Sequence, residues 1–437
     1  MKGALSEVEL FAITSIAQLS VLIYHLVVPR YAFLEFLFSI VPLYLTIVFP
    51  NRLCLIYASF FALFVVSFLS TIIRRWVRGK STAVWPSSAI DNPSLSMKHP
   101  TSTPQDNGIY AFVAIDRVRV LIMSCVAITI FASDFSFYKG GKLGKSMSYG
   151  LKLMDIGVGS FVYNAGFFSA KATPQRKVEN VLSSFFFGIL RYLSKVLLKL
   201  DVNDAEFGIH LNFFLILGVL NLASLFISTW ADFLIGFGMC LLHEVFLKFF
   251  GLEELIYTTK RSNIITANIE GIAFILPQMG MFLMASEISK VVFKKKNMGI
   301  IVLYNLFFVS ILLGVSTYST SCRRIHNLYF CMVIMLLHTT QGIVFGMFNM
   351  AFNIRDLKMH RFISKYLLFI LIWSNLLVGI NKLLVNPSAM PNYLGHGLNI
   401  AYLTVVFYLP YIALDRGIMK SCKQINSKFF SLKSGGQ

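Results

Sequence analysis

Charge is the scarcest commodity in this sequence. Asp, Glu, Lys and Arg make up 14% of its 437 residues, where soluble globular chains run near a quarter. Hydrophobic residues reach 56%. A chain this apolar has too few polar groups to cover a soluble fold, so lipid replaces water as solvent over most of it. Acidic residues are the scarcer sign, 20 against 39 Lys and Arg, for a formal charge of +19. The surplus cations are scattered over short loops and the tail, with no soluble basic domain to hold them. That argues against a nucleic-acid partner and for a charge bias across a bilayer. Cysteine is sparse too: the six residues are dispersed and make no CxxC pair, which argues against a disulfide framework or a thiolate metal site. Cys54, Cys125, Cys240 and Cys331 lie in apolar runs and read as small core residues. There is no P-loop, dinucleotide fingerprint, HExxH or GxSxG. His243-Glu244 lacks a second His four residues from the first and reads as a paired polar spot in a helix. No internal repeat of the kind that marks many transporters is visible.

What fills the chain instead is a series of apolar runs near the ~20 residues that a membrane helix needs. They fall near 10–29, 32–50, 53–73, 111–133, 151–169, 181–200, 210–229, 231–249, 264–288, 298–317, 327–348, 364–385 and 399–415. The expected fold is therefore all-α, a polytopic transmembrane bundle of about thirteen spans forming one integral membrane domain over 1–437. The run after Met1–Glu9 lacks a basic leader and a small-residue cleavage site, so it reads as a retained span. The fifth run carries Asp155, Gly157, Gly159 and Gly166, which predicts a short, bent or tightly packed helix. The loop Arg74–Gly108 contains a Pro-, Ser-, Asn- and Asp-rich stretch from Trp85 and reads as a polar linker rather than a domain. An odd span count places the termini on opposite sides. The tail over 417–437, with Lys420, Lys423, Lys428 and Lys433, is expected in the cytosol and the N-terminus in the lumen. Arg74, Arg75, Arg78 and Lys80, Lys171, Arg176 and Lys177, Lys290 and Lys294–Lys296, and Arg355, Lys358 and Arg361 then all fall on the cytosolic side. Lys139, Lys142, Lys145, Arg323 and Arg324 run against that bias on the lumenal side. Either an anionic head group or plain solvation accounts for them.

Ionisable groups within spans are costly and face a cavity or one another. The candidates are Arg117, Arg119, Asp134, Asp155, Arg191, His210, Asp232, His243, Glu244, Glu270 and Lys382. Asp134 and Asp155 bound one short basic loop, Phe135–Gly150. A carboxylate at a membrane boundary can take the proton of a hydroxyl. A lysine beside it can stabilise an oxyanion or hold a phosphate. The pattern thus reads as an acid–base pair at the lumenal face.

Several runs resemble one family in its own order along the chain. Leu151-Lys-Leu-Met-Asp155-Ile-Gly157-Val-Gly159-Ser-Phe-Val162 is similar to the LMDxGVGxFVF stretch of the inositol acyltransferases of glycosylphosphatidylinositol (GPI) anchor synthesis, the PIG-W family. Asp134-Phe135 resembles the family's AVDF. Counting back from Tyr149-Gly150, Lys145 falls on the lysine of its FPRRFAK segment. Arg119 falls at the family's arginine, with Val118 in place of a tyrosine. Glu206-Phe207-Gly208-Ile209-His210-Leu211-Asn212-Phe213-Phe214 resembles EYGVHWNFF, and Ala267-Asn268-Ile269-Glu270-Gly271-Ile272 resembles ANREGI. Arg323-Arg324 with Asn327 and Tyr329 resembles RRxAN, and Asn375, Gly379 and Asn381 resemble NxxTGLVN. The similarity runs from about Arg119 to Asn381. The arginines of FPRRFAK are absent, Ile269 replaces an arginine and Leu211 a tryptophan, which marks a divergent member.

The resemblance implies thirteen spans in the endoplasmic reticulum membrane. It implies transfer of a fatty acyl chain, typically palmitoyl, from acyl-CoA to the inositol of glucosaminyl-phosphatidylinositol on the lumenal side. On that reading Asp134 and Lys145 are catalytic, with His210 a rival base. Arg119, Asp155, His210, Asn212, Glu270 and Asn375 bind substrate or line the polar interior. No metal and no bound cofactor are expected; acyl-CoA is a co-substrate and membrane lipids are neighbours. Two rival readings are a polytopic lipid transporter or flippase and a non-catalytic scaffold of the GPI pathway.

Overall fold

The computed structural model describes residues 6–27, 31–49, 52–81, 106–138, 143–146, 148–197, 206–227, 232–295, 297–352 and 357–414. Among these residues there is no β-strand. The helices are α1 (Glu7–Val27), α2 (Ala32–Val48), α3 (Leu53–Ser81), α4 (Asp106–Ala132), α5 (Ile156–Ser169), α6 (Pro174–Leu197), α7 (Phe213–Ala223), α8 (Asp232–Phe249), α9 (Leu252–Thr258), α10 (Ile269–Lys290), α11 (Met298–Val315), α12 (Leu328–Phe352), α13 (Lys358–Lys365), α14 (Leu367–Leu384), α15 (Asn392–Leu403) and α16 (Leu409–Tyr411). An α-helix closes its backbone hydrogen bonds within itself, which is what an apolar chain in lipid requires. Of the expected polar linker, 74–81 continues α3 and 106–108 opens α4. The rest of that linker, Lys139 and Lys142, Arg355 and the basic tail lie outside the described residues.

Among the described residues seven helices are long and apolar enough to cross a membrane: Val8–Leu26, Leu53–Ile73, Thr266–Lys294, Met298–Val315, Leu328–Asn349, Leu367–Leu384 and Asn392–Leu414. An eighth is added if Asp232–Phe249 and Leu252–Thr258, bent by 70°, count as one span. The other expected segments fold as helices that fall short for identifiable reasons. α4 carries Asp116, Arg117 and Arg119 in its otherwise apolar length, while α5 has 14 residues and α7 has 11. α6 is amphipathic: Leu182, Phe186, Ile189 and Leu193 are exposed, whereas Val181, Ser184 and Gly188 are buried. α3 exposes Leu55, Phe61, Leu63 and Val66. Exposed apolar faces on a membrane protein mark surfaces for lipid or for another protein.

By internal contacts the chain forms two compact units, Met1–Val8 with Ala132–Val344, and Glu9–Phe131 with Phe345–Gln437. In the first, α10 is the central helix, packed on α5 and α8. Glycine makes that packing possible. A Cβ on Gly166 of α5 would stand 2.1 Å from the Phe282 carbonyl oxygen, and one on Gly236 of α8 2.5 Å from that of Gly280. Backbones approach this closely only through small residues, the usual device of helix association in lipid. The glycine-rich fifth segment is thus short and tightly packed. The second unit has an apolar core of Val21, Leu22, Val118, Ile122, Phe345 and Phe348 among others.

Candidate functional site

The loop between α4 and α5 is organised by one carboxylate. Asp155 is fully buried. It accepts hydrogen bonds from the Ser146 backbone N–H at 3.1 Å, the Ser146 hydroxyl at 2.7 Å and the Lys152 N–H at 2.9 Å. Arg323 stands 3.8 Å away. Buried acceptors must be filled in this way or cost free energy. The result is a closed loop whose Met154 N–H also bonds the Leu143 carbonyl at 3.2 Å. Lys145 projects from this loop onto Glu206. The other Glu206 oxygen lies 3.5 Å from Arg323. Lys145, Glu206, Arg323 and Asp155 therefore form a chain of alternating charge. Burial lowers the Lys145 pKa, and the Glu206 carboxylate opposes that fall. Burial works to raise the Glu206 pKa, but Arg323 and Lys145 together hold it below the ordinary range. Asp134, two residues past the end of α4, belongs to the same unit as Lys145 and is half-buried beside the fully buried Phe135.

A second cluster is built around Asn268. Its side-chain oxygen accepts from the backbone N–H groups of His210 at 2.8 Å and Leu211 at 3.1 Å. Its amide nitrogen donates to the Ile264 carbonyl at 2.8 Å and to His210 Nδ1 at 3.0 Å. Gly208 permits this close fit with φ +103°, and a Cβ there would meet the Asn268 Cα at 2.5 Å. His210 itself is exposed. Asn212 caps α7, accepting from Phe214 N–H at 3.0 Å and Leu215 N–H at 3.2 Å. Such a cap contributes about 1 kcal/mol. Its amide also donates to the Gly188 carbonyl at 2.9 Å. Glu270, in the first turn of α10, pairs with Arg261 at 2.7 Å and lies 4.0 Å from Arg324. Ile269, where the family has arginine, packs on the apolar cluster of Leu247, Ile256, Cys322 and Ile325.

The turn leading into α12 holds the two arginines. Asn327 Oδ1 accepts from the N–H of Cys322 at 3.0 Å and of Phe330 at 3.2 Å. His326 takes the left-handed conformation, φ 47°, with its ring 4.1 Å from that of Phe274. Burial, with Arg323 beside it, holds its imidazole well below the ordinary pKa, so it stays neutral. His243 and Glu244 are spent on the same turn: His243 bonds the Ile325 carbonyl at 2.8 Å, and Glu244 accepts from Leu328 N–H at 2.8 Å.

Arg119 and Asn375 belong to the second unit. Arg119 donates to Ser364 at 3.1 Å, and Ser364 in turn donates to Asp116. Asn375 is exposed and donates to the Leu371 carbonyl of its own helix at 2.7 Å. Nearby in the fold of that unit, Glu35 accepts from His360 N–H at 2.9 Å, His360 bonds Ser39 at 2.7 Å, and Arg117 donates to Asn349 at 2.7 Å.

Sequence reasoning singled out Lys145 and Asp155 as site residues and Arg323 as a lumenal cation against the charge bias, but gave no role to Glu206, which joins Lys145 to Arg323 and stands inside a motif run. It also passed over Glu35 and Asp116, buried carboxylates within expected spans. Among the described residues no group of three or more His, Cys, Asp or Glu is placed to hold a metal ion.

The sequence model of the GWT1 family matches residues 3–413. The chain is similar to GPI-anchored wall transfer protein 1 of Yarrowia lipolytica, 30% identical over 199 residues, covering 42% of this chain and 41% of that protein. It is similar to the phosphatidylinositol-glycan biosynthesis class W protein of Dictyostelium discoideum, 22% identical over 265 residues, or 49% and 54% of the two chains. A longer match, 27% identical over 321 residues, joins 64% of this chain to 62% of GPI-anchored wall transfer protein 1 of Gibberella zeae. The chain thus spans 41% to 62% of the length of these curated relatives. The family match runs over nearly the whole chain and bears out the resemblance carried by the motifs: the protein belongs to the GWT1 family.

Proposed function

We propose that this protein is an acyltransferase of GPI-anchor synthesis in the endoplasmic reticulum membrane. It moves a fatty acyl chain, palmitoyl, from acyl-CoA to an inositol hydroxyl of glucosaminyl-phosphatidylinositol. In this proposal it spans the bilayer about thirteen times, with the N-terminus lumenal, the C-terminus cytosolic and the loop between α4 and α5 at the lumenal face. The observation that carries the reading is Lys145, which stands at the family's lysine and is held in a half-buried ion pair on a closed loop.

In the reaction, Asp134 takes the proton of the inositol hydroxyl as its oxygen attacks the thioester carbonyl. The Lys145 ammonium stabilises the tetrahedral oxyanion. The new ester C–O bond is kept, the C–S bond breaks, and the proton passes from Asp134 to the departing CoA sulfur. One observation favours Asp134 over His210 as the base. The Asn268 amide donates to His210 Nδ1, so the neutral imidazole carries its proton on Nε2 and offers no free lone pair. Asp155 and Asn212 act by holding the loop and α7 in place, and Arg119, Glu270 and Asn375 are assigned to the substrate-lining polar surfaces of their units.

The test is acyl transfer by the purified protein in detergent, without any sealed compartment, given glucosaminyl-phosphatidylinositol and palmitoyl-CoA. Acyl-inositol product and free CoA thiol are expected in equal amounts. Lys145→Ala is expected to lower the rate about 100-fold or more. Full acylation by that variant removes Lys145 from the mechanism. Absence of product from the unaltered protein removes the enzyme reading and leaves transport or scaffolding.

A further inference from the structure

Lysine is a point charge on a flexible four-carbon stem, so its reach alone does not fix where the charge sits. An ammonium that must meet a developing oxyanion gains from being fixed before the reaction. Here the Lys145 side chain is 33% exposed and its partner Glu206 15%. Glu206 bridges two cations, with Oε1 on Lys145 and Oε2 on Arg323. Each end of the bridge is anchored separately. Two positions after Glu206 stands Gly208, whose backbone fits against Asn268 without room for a Cβ. Arg323, 8% exposed, sits in the turn held by Asn327 and also faces Asp155, the carboxylate that closes the Lys145 loop. The same guanidinium therefore faces both the carboxylate that holds Lys145 and the carboxylate that holds its loop.

We infer that Glu206 is the positioning residue for Lys145, and that Arg323 serves the same end by fixing Glu206. This rests on the reading of Lys145 as the group that meets the oxyanion. Glu206 has a second effect on that lysine. The charges that act on Lys145 are Glu206 from the segment ahead of α7, Arg323 from the turn ahead of α12 and Arg191 from α6. Burial and the two arginines favour loss of the proton, and the Glu206 carboxylate opposes them. Removing the carboxylate therefore makes Lys145 lose its proton at lower pH, and the alkaline limb of the activity profile moves down with it.

The experiment is competitive acetylation with acetic anhydride across pH in full-length protein in its membranes, with Lys145 followed by mass spectrometry. It reads the lysine's titration whether or not the variant turns over. In Glu206→Gln, Lys145 is expected to bind its proton about tenfold more weakly, one pH unit. In the purified variant, kcat is expected to fall about tenfold or more with KM for acyl-CoA within about twofold of the unaltered protein. Glu206→Asp, which keeps the charge on a shorter stem, is expected to restore the titration while kcat recovers only in part. An unshifted Lys145 titration in Glu206→Gln overturns the inference, as does a lowered kcat accompanied only by a lowered melting temperature. Should Glu206→Gln fail to fold, Arg323→Lys decides. It keeps the positive charge but not the guanidinium fork, so the titration is expected to stay and kcat to fall; unchanged kcat overturns the inference. Lys145→Ala with full activity sinks the catalytic reading and leaves the labelling result standing, so the two failures are distinguishable.

Discussion

Asp155→Ala is expected to destabilise the protein by about 3–5 kcal/mol, read as a fall in the thermal midpoint of the detergent-purified chain. The reason is the number of groups that depend on this one fully buried carboxylate. Without it the Ser146 N–H and hydroxyl and the Lys152 N–H lose their acceptor. Arg323, itself buried, loses one of its two counter-charges. Each buried polar group left unfilled costs about 1–3 kcal/mol, and a buried cation stripped of a partner costs more. The Lys145 loop should also open, so protease cleavage within 143–152 is expected to rise. An unchanged midpoint with an uncut loop contradicts the assignment of Asp155 as the residue that closes this loop.

Asp134→Asn is expected to lower kcat by roughly 100- to 10,000-fold, the usual contribution of a general base. The substitution keeps size and shape and removes the proton acceptor, so KM for acyl-CoA and the melting temperature should stay near their original values. His210→Ala is the contrasting variant. Because Asn268 occupies Nδ1, its loss should leave kcat within about tenfold. The reverse pattern, with Asp134→Asn active and His210→Ala inactive, transfers the base to His210.

Much of the fold is legible in the sequence because lipid makes simple demands. Apolar length marks the helices that cross the membrane, and the glycines of the fifth segment announce the tight packing seen at Gly166. The sixth segment is harder, since the apolar stripe of α6 shares the helix with Arg176, Lys177 and Glu179. The site was readable as a set of residues but not as a set of jobs. Asp155 stands out in the sequence as a charge beside a span, yet its role as loop anchor depends on Ser146 and Lys152 folding back onto it. Glu206 lies 61 positions from Lys145 in sequence, and Glu35 lies 325 from His360. With 39 cations in the chain, a single sequence offers no way to choose the partner of a given carboxylate. Asn212 and Asn268 were visible as motif residues, but capping and clamping are properties of backbone groups that the sequence does not display.

The decisive measurement is made in cells that lack GPI inositol acylation, with the inositol-acylated form of glucosaminyl-phosphatidylinositol scored by mass spectrometry after this chain is expressed. The acylated intermediate is expected to appear with the unaltered chain and to be absent with Lys145→Ala at equal protein level. Accumulation of the unacylated intermediate alone, with the unaltered protein present in the endoplasmic reticulum membrane, contradicts the proposed function.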